Sequence, residues 1–172
     1  VHTAILADLQ GPKIRVGVLE KPITLKKGTE LSFSNDEKEK KAIFINYSNF
    51  AKDVKKGDGI LLDDGNIALK VSQVISEKTI KAKVIFGGRL YSNKGVNLPD
   101  TEISLPCLTQ KDKKDLAFIL GEKIEWIGLS FVRRAEDIVK LKKIIRKKKT
   151  SNARVIAKIE KPEAIVDIDN II

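Results

Sequence analysis

The sequence predicts an α/β frame interrupted by an all-β insertion, and three observations carry that prediction. A near-continuous apolar run, Val1-His2-Thr3-Ala4-Ile5-Leu6-Ala7, ends at Asp8, the pattern of a strand buried on both faces in a parallel sheet. The stretch from about Val16 to Glu102 is dense in short β-type runs and turn residues and holds no convincing long helix. From Thr109 onward, helix-type and strand-type periods alternate, as in consecutive βα units with parallel strands. The first and third zones belong together, because both supply buried strands of the parallel type.

Local chemistry places the elements in order. In the insertion, Leu31 to Ser34, Ala42 to Tyr47, Gly59 to Leu62, Ile67 to Val71 and Thr79 to Val84 read as strands. Gly28, Gly57 and Gly65 punctuate them, and Asp64-Gly65 is a hairpin signal. A small antiparallel barrel or sandwich is the natural way to pack them. Thr109 then opens a helix that carries Leu116, Ile119 and Leu120 on one face and ends at Gly121. Ile124 to Phe131 is a buried strand. A helix follows from about Ala135 to Lys149, with Ile138, Leu141, Ile144 and Ile145 recurring between Lys140, Lys142, Lys143, Lys147, Lys148 and Lys149. Val155 to Glu160 is another strand, and Pro162 opens a helix as a favoured first-turn residue.

Composition narrows the function classes. The 172 residues carry 33 Lys+Arg against 23 Asp+Glu, a formal net charge of +10. The excess is lysine, with only 6 Arg, and aromatics are 5%, which disfavours base-edge readers and single-strand binders. The lysine-rich helix therefore reads first as a solvated face, and the overall charge suits an anionic small substrate better than nucleic acid. No run approaches the roughly 18 apolar residues of a membrane span. A single cysteine, Cys107, excludes an intrachain disulfide and reads as a buried thiol of the reducing cytoplasm. A single histidine, His2, excludes a histidine metal cluster and reads as incidental. The chain starts inside an apolar run with neither Met nor a charged leader, so it reads as an internal piece of a longer protein.

Four constellations can carry chemistry. Lys158 and Glu160 alternate on one strand and so project together from its C-terminal end, where βα barrels place their active sites. By spacing alone, an ordinary ion pair at a sheet rim is the commoner reading. Asp8 ends the first strand, and Gly11-Pro12 turns the chain before Lys13 and Arg15; an acid, a turn and two cations suit phosphate binding, or form a plain polar loop. Lys94-Gly95-Val96-Asn97-Leu98-Pro99 combines a cation with a glycine that admits close approach, or is a hinge. Asp63-Asp64-Gly65-Asn66 is a hairpin turn that could also aim a carboxylate at a metal-nucleotide. Ser130 and Phe131 end a further strand; Ser130 can touch the site, and Phe131 reads mainly as packing.

Together these stretches resemble pyruvate kinase: Ala7-Asp8-Leu9-Gln10-Gly11-Pro12-Lys13-Ile14-Arg15, Leu62-Asp63-Asp64-Gly65, Lys94 to Pro99, Leu129-Ser130-Phe131-Val132-Arg133 and Ala157-Lys158-Ile159-Glu160 occur in that family's order and spacing. The resemblance implies a partial TIM (β/α) barrel segment, α/β, with an inserted antiparallel β-barrel lid domain. Residues 1–15 would be the third-strand region, 16–102 the lid, and 103–172 further βα units. It implies transfer of the phosphoryl group of phosphoenolpyruvate to ADP, giving pyruvate and ATP, with Mg²⁺ or Mn²⁺ and often K⁺, in a cytoplasmic homotetramer that engages neither nucleic acid nor membrane. Carried over residue by residue, Lys158 resembles the catalytic lysine and Glu160 a Mg²⁺ ligand. Asp8 and the Leu9 carbonyl resemble ligands of the monovalent cation, while Arg15, Lys94 and Asp64 resemble nucleotide-binding groups.

One departure is informative. Where K⁺-dependent members carry an acid this chain has Lys13, and Leu9-Gln10 stands where they carry Thr-Lys; the set, with Val16, resembles the K⁺-independent branch. A fixed ammonium can replace a mobile cation, so K⁺ is not expected to be required. Family motifs that lie outside this stretch imply that the polypeptide alone does not turn over. The competing reading of the residues is a basic β-barrel that docks nucleic acid or another anion without catalysis, which steep salt dependence would reveal.

Overall fold

The computed structural model describes residues 3–148 and 152–172. In chain order these form β1 (Leu6–Leu9), β2 (Ile23–Leu25), β3 (Glu30–Ser34), β4 (Ile43–Phe44), α1 (Phe50–Asp53), β5 (Gly59–Leu62), β6 (Ile67–Val74), β7 (Thr79–Phe86), β8 (Gly88–Leu90) and β9 (Val96–Asn97). Then follow α2 (Gln110–Ile119), β10 (Trp126–Leu129), α3 (Ala135–Lys147), β11 (Arg154–Ala157), α4 (Pro162–Val166) and α5 (Ile168–Ile171). The chain divides into two compact units: one from its flanks, up to Pro12 and from Leu105 on, the other from Lys13 to Ser104. The fold is mixed α/β.

The flanking unit is built on a three-stranded parallel sheet in the order β1-β10-β11. Asp8 lies opposite Gly128, Leu9 opposite Leu129, and Leu129 opposite Ala157. Its core gathers Leu9, Leu116, Ile127, Leu129, Val132 and Leu141 with the Cys107 thiol. Thr109 caps α2 in a reciprocal capping box with Asp112, the local reason the helix starts there. Along α3, Ile138, Leu141 and Ile145 are buried while Lys140, Lys142, Lys143, Arg146 and Lys147 are exposed, so its basic face is wet. Lys149 and His2 lie outside the described residues.

Two expectations are corrected in this unit. The opening apolar run is not buried on both faces: Ile5 and Leu6 are 53% and 51% exposed, and β1 spans only Leu6–Leu9. Among the described residues β1 pairs on one side, with β10, which leaves its other edge without a strand partner there. The last strand ends at Ala157, so Lys158 and Glu160 stand just beyond it. One further ladder bond, from Lys158 N–H to the Leu129 carbonyl (3.0 Å), keeps that exit extended and explains why the alternation of faces survives.

The inserted unit holds a six-stranded sheet in the order β4-β3-β7-β6-β5-β9 and a two-stranded ribbon, β2-β8. All its pairs are antiparallel except β3-β4, because residues 35–42 carry the chain back before it re-enters the sheet. The Ala42–Tyr47 strand shrinks to Ile43–Phe44. Register shifts in the long β6-β7 pair add local twist and bend. Residues 14–17 then bond to both sheet edges: Val16 and Val96 N–H donate to the Lys94 and Ile14 carbonyls, while Gly17 and Asn46 N–H donate to the Phe44 and Arg15 carbonyls. The sheet is thereby closed on itself around Phe33, Ile45, Ile60, Leu62, Ile80 and Leu90, all essentially inaccessible.

Candidate functional site

At the C-terminal ends of the three parallel strands, register brings three side chains together. Lys158 follows the Ala157–Leu129 pair, Ser130 follows Leu129, and Asp8 faces Gly128. The Lys158 ammonium donates to Asp8 Oδ2 and Oδ1 (2.9 and 3.1 Å) and to Ser130 Oγ (2.9 Å), and lies 3.4 Å from Glu160 Oε1. Its three N–H vectors are thus spent on two carboxylates and a hydroxyl. The hydrogen bond to Asp8 holds the lysine above its ordinary range against the opposing effect of burial, with the charges of Glu160 and Asp8 adding to the rise. The side chain remains 33% exposed. Ser130 Oγ–H donates in turn to the Leu9 carbonyl at 2.7 Å.

The backbone beneath this cluster is shaped for it. Gly128 has no side chain because Asp8 Oδ1 lies 2.9 Å from where its Cβ would be. Phe131 adopts φ +55°, and its N–H donates to Glu160 Oε2 (3.1 Å). Gly11 takes φ +66°, and a Cβ there would strike the Phe131 ring at 2.8 Å. Asp112 is 0% exposed; Oδ1 accepts the Gly11 N–H (3.2 Å), and Oδ2 accepts the Thr109 N–H (2.9 Å) and hydroxyl. One buried carboxylate therefore ties the turn after β1 to the start of α2. Cys107 donates its S–H to the Ser130 carbonyl (3.1 Å), and burial pushes its thiol up to about 12, so it is an inert structural group. Burial likewise pushes the Lys161 ammonium below its ordinary range, with the positive charge of Arg133 adding to the effect.

In the inserted unit a second cluster forms where the closing segment meets the β5-β6 hairpin. Arg15 bridges to Gly95, and the Asp63 N–H donates to the Gly95 carbonyl at 3.0 Å. The hairpin turn runs through three consecutive left-handed residues, Asp63 (φ +53°), Asp64 (φ +55°) and Gly65 (φ +90°). That geometry delivers Asp63, not Asp64, to Lys94: Oδ1 and the ammonium are 2.7 Å apart. Asp63, with Asp64 as a lesser contributor, holds Lys94 above its ordinary range. Arg15 Nε is buried without a hydrogen-bond partner among the described residues. Lys13 is exposed.

The structure thus gathers Asp8, Leu9, Lys158 and Glu160 in one unit, and Arg15, Lys94 and Asp64 at one corner of the other. Sequence reasoning passed over Asp112, Gly128 and the backbone role of Phe131, and of the two turn acids it assigned Asp64 rather than Asp63 to the site. Of the three missed, Asp112 alone had a local signal, as the third helical residue after Thr109. Among the described residues no group of three or more His, Cys, Asp and Glu is assembled for a metal ion. Glu160, partly exposed, is a hard oxygen donor that fits as a single protein ligand of Mg²⁺, an ion that keeps several positions for water and substrate oxygens.

A charged cluster at the C-terminal ends of parallel strands defines an α/β protein whose polar site is built on strand exits. Residues 1–172 match the family model described as pyruvate kinase, barrel domain. Proteins named pyruvate kinase from Agrobacterium vitis and Buchnera aphidicola subsp. Schizaphis graminum are each 41% identical, over 98% and 99% of this chain and 35% and 37% of their own lengths. Pyruvate kinase 1 of Saccharomyces cerevisiae is 32% identical over 98% of the chain and 35% of its own length. The chain belongs to the pyruvate kinase family, and it spans about a third of the length of these curated relatives.

Proposed function

We propose that this chain is the lid and part of the TIM barrel of a pyruvate kinase, which moves the phosphoryl group of phosphoenolpyruvate to ADP. The observation that carries the proposal is the Lys158 ammonium, held between Asp8 and Glu160 at the strand ends on a side chain that is one-third exposed. In the reaction the bond from phosphorus to the enol oxygen breaks, a bond to the terminal phosphate oxygen of ADP forms, and the enolate takes up a proton to become pyruvate. Lys158 sets a fixed positive charge against the negative charge that develops on the transferring group and the enolate oxygen. Asp8 keeps that charge in place by holding the lysine protonated. Glu160, steadied by the Phe131 N–H, is the residue that would hold Mg²⁺ or Mn²⁺. When bound, such an ion neutralises phosphate charge. Arg15, Lys94 and Asp64 serve the nucleotide.

The test is Lys158→Gln in the full-length protein. Turnover falls about 10²- to 10³-fold, the loss typical of removing one charge-stabilising donor, while the circular dichroism spectrum and melting stay near wild type. A variant that keeps more than a third of the rate would remove Lys158 from the chemistry. Asp8 already accepts Lys158 and the Leu9 carbonyl already accepts Ser130, so the oxygens of the monovalent-cation site have protein donors. With Lys13 as a further fixed cation, the enzyme runs at full rate without K⁺, and Lys13→Glu confers K⁺ dependence. Many-fold activation of the wild type by K⁺ would contradict this part. The parent is proposed to be a cytoplasmic homotetramer; no helix among the described residues is long and apolar enough to cross a membrane.

A further inference from the structure

We infer that Asp63 is a specificity-determining residue for the nucleotide: its carboxylate occupies the Lys94 ammonium, and an incoming phosphate must displace it. The inference rests on the proposed role of Lys94 in nucleotide binding and goes one step further, to the group that competes for it. Asp63 Oδ1 lies 2.7 Å from Lys94 Nζ, the distance of a direct charge-assisted hydrogen bond. The contact is imposed by the backbone. Two successive non-glycine residues in the left-handed region are an uncommon arrangement, and it is this pair, with the Asp63 N–H bonded to the Gly95 carbonyl, that points the first carboxylate at the lysine. Lys94 is itself fixed, because its carbonyl accepts the Val16 N–H where the sheet closes.

The sign of the effect follows from charge and exposure. Asp63 and Lys94 are 22% and 40% exposed, so the pair is part-solvated and its breakage is a modest cost. The terminal phosphate of a nucleoside diphosphate carries more negative charge and more acceptor oxygens than one carboxylate, so it wins the ammonium. It does so against Asp63 twice over: the ion pair must open, and the freed carboxylate then stands beside an anion. Asp63 thereby discriminates against weakly charged anions that a bare lysine would accept.

Asp63→Asn is the informative substitution, since asparagine keeps the size and tolerates the left-handed backbone while losing the charge. In the full-length protein it lowers the KM for ADP two- to five-fold, the range set by part-exposed ion pairs. Asp63→Gly, which relieves the backbone as well, moves KM the same way and guards against an effect peculiar to one variant. Lys94→Gln raises KM, and in its background Asp63→Asn no longer lowers it, a coupling that a merely structural turn residue would not show. A KM that stays level or rises in both Asp63 variants overturns the inference while leaving the nucleotide role of Lys94 standing. A KM unchanged by Lys94→Gln removes that role, and the inference with it.

Discussion

The strand-end cluster and the hairpin corner solve the same problem, holding an ammonium against a carboxylate, by opposite means. At the strand ends, Lys158, Ser130 and Asp8 meet because adjacent parallel strands are in register, and each side chain follows the ordinary alternation of an extended chain. At the corner, Asp63 reaches Lys94 only because two consecutive residues take left-handed conformations. The first arrangement is anchored to a buried core through Leu9 and Leu129. The second sits on a turn whose carboxylate and ammonium are both part-exposed. On the proposed roles, the charge assigned to catalysis stands on rigid strand exits, and the group assigned to yield to a ligand stands on a turn.

Asp112 gives the largest test of that contrast. It is inaccessible and accepts three hydrogen bonds, from Gly11 and twice from Thr109. Asn at this position turns an N–H₂ group toward one of those donors, leaving a buried donor unsatisfied. Asp112→Asn therefore costs about 1.5–3 kcal/mol in chemical denaturation, the range for lost hydrogen bonds to a charged group. Asp63→Asn costs less than about 1 kcal/mol, the ceiling for exposed pairs. Equal costs would show that the strand-end turn is no better anchored than the hairpin.

How much was legible in the sequence follows the same division. The pairing of Lys158 with Glu160 was readable from their spacing, and Asp8 from its place at the end of an apolar run, because alternation along an extended chain is local. That both residues of the pair stand past the strand was not readable, since the strand's end depends on which neighbours continue the ladder. The hairpin at Asp64-Gly65 was visible as a turn, yet the acid that meets Lys94 is Asp63. A four-residue connection between Leu62 and Ile67 can aim either side chain, and dipeptide chemistry does not decide which. Gly128 and Phe131 were invisible for a different reason. The absence of a Cβ facing Asp8, and an N–H aimed at Glu160, are properties of segments more than a hundred and nearly thirty residues apart in the chain. The β4 strand ends at Phe44, and Ile45, whose N–H still donates to the Ser34 carbonyl of β3, also bridges the closing segment at Val16.

The smallest expected effect is a shift in pH dependence, and it tests whether the strand-end pair is electrostatically tight. Lys158 titrates above its ordinary range chiefly because Asp8 accepts its hydrogen bond. A lysine whose folded-state pKa exceeds its unfolded value stabilises the fold at every pH below the unfolded value, and that contribution fades as pH rises through the folded one. Asp8→Asn removes the leading cause and leaves Glu160 as the remaining charge. The alkaline limb of the kcat/KM profile of the full-length protein therefore moves to lower pH, and the alkaline loss of thermal stability begins earlier. A limb that stays in place would mean that Glu160 and Ser130 hold the proton on Lys158 without Asp8, and that the strand-end cluster is as yielding as the corner.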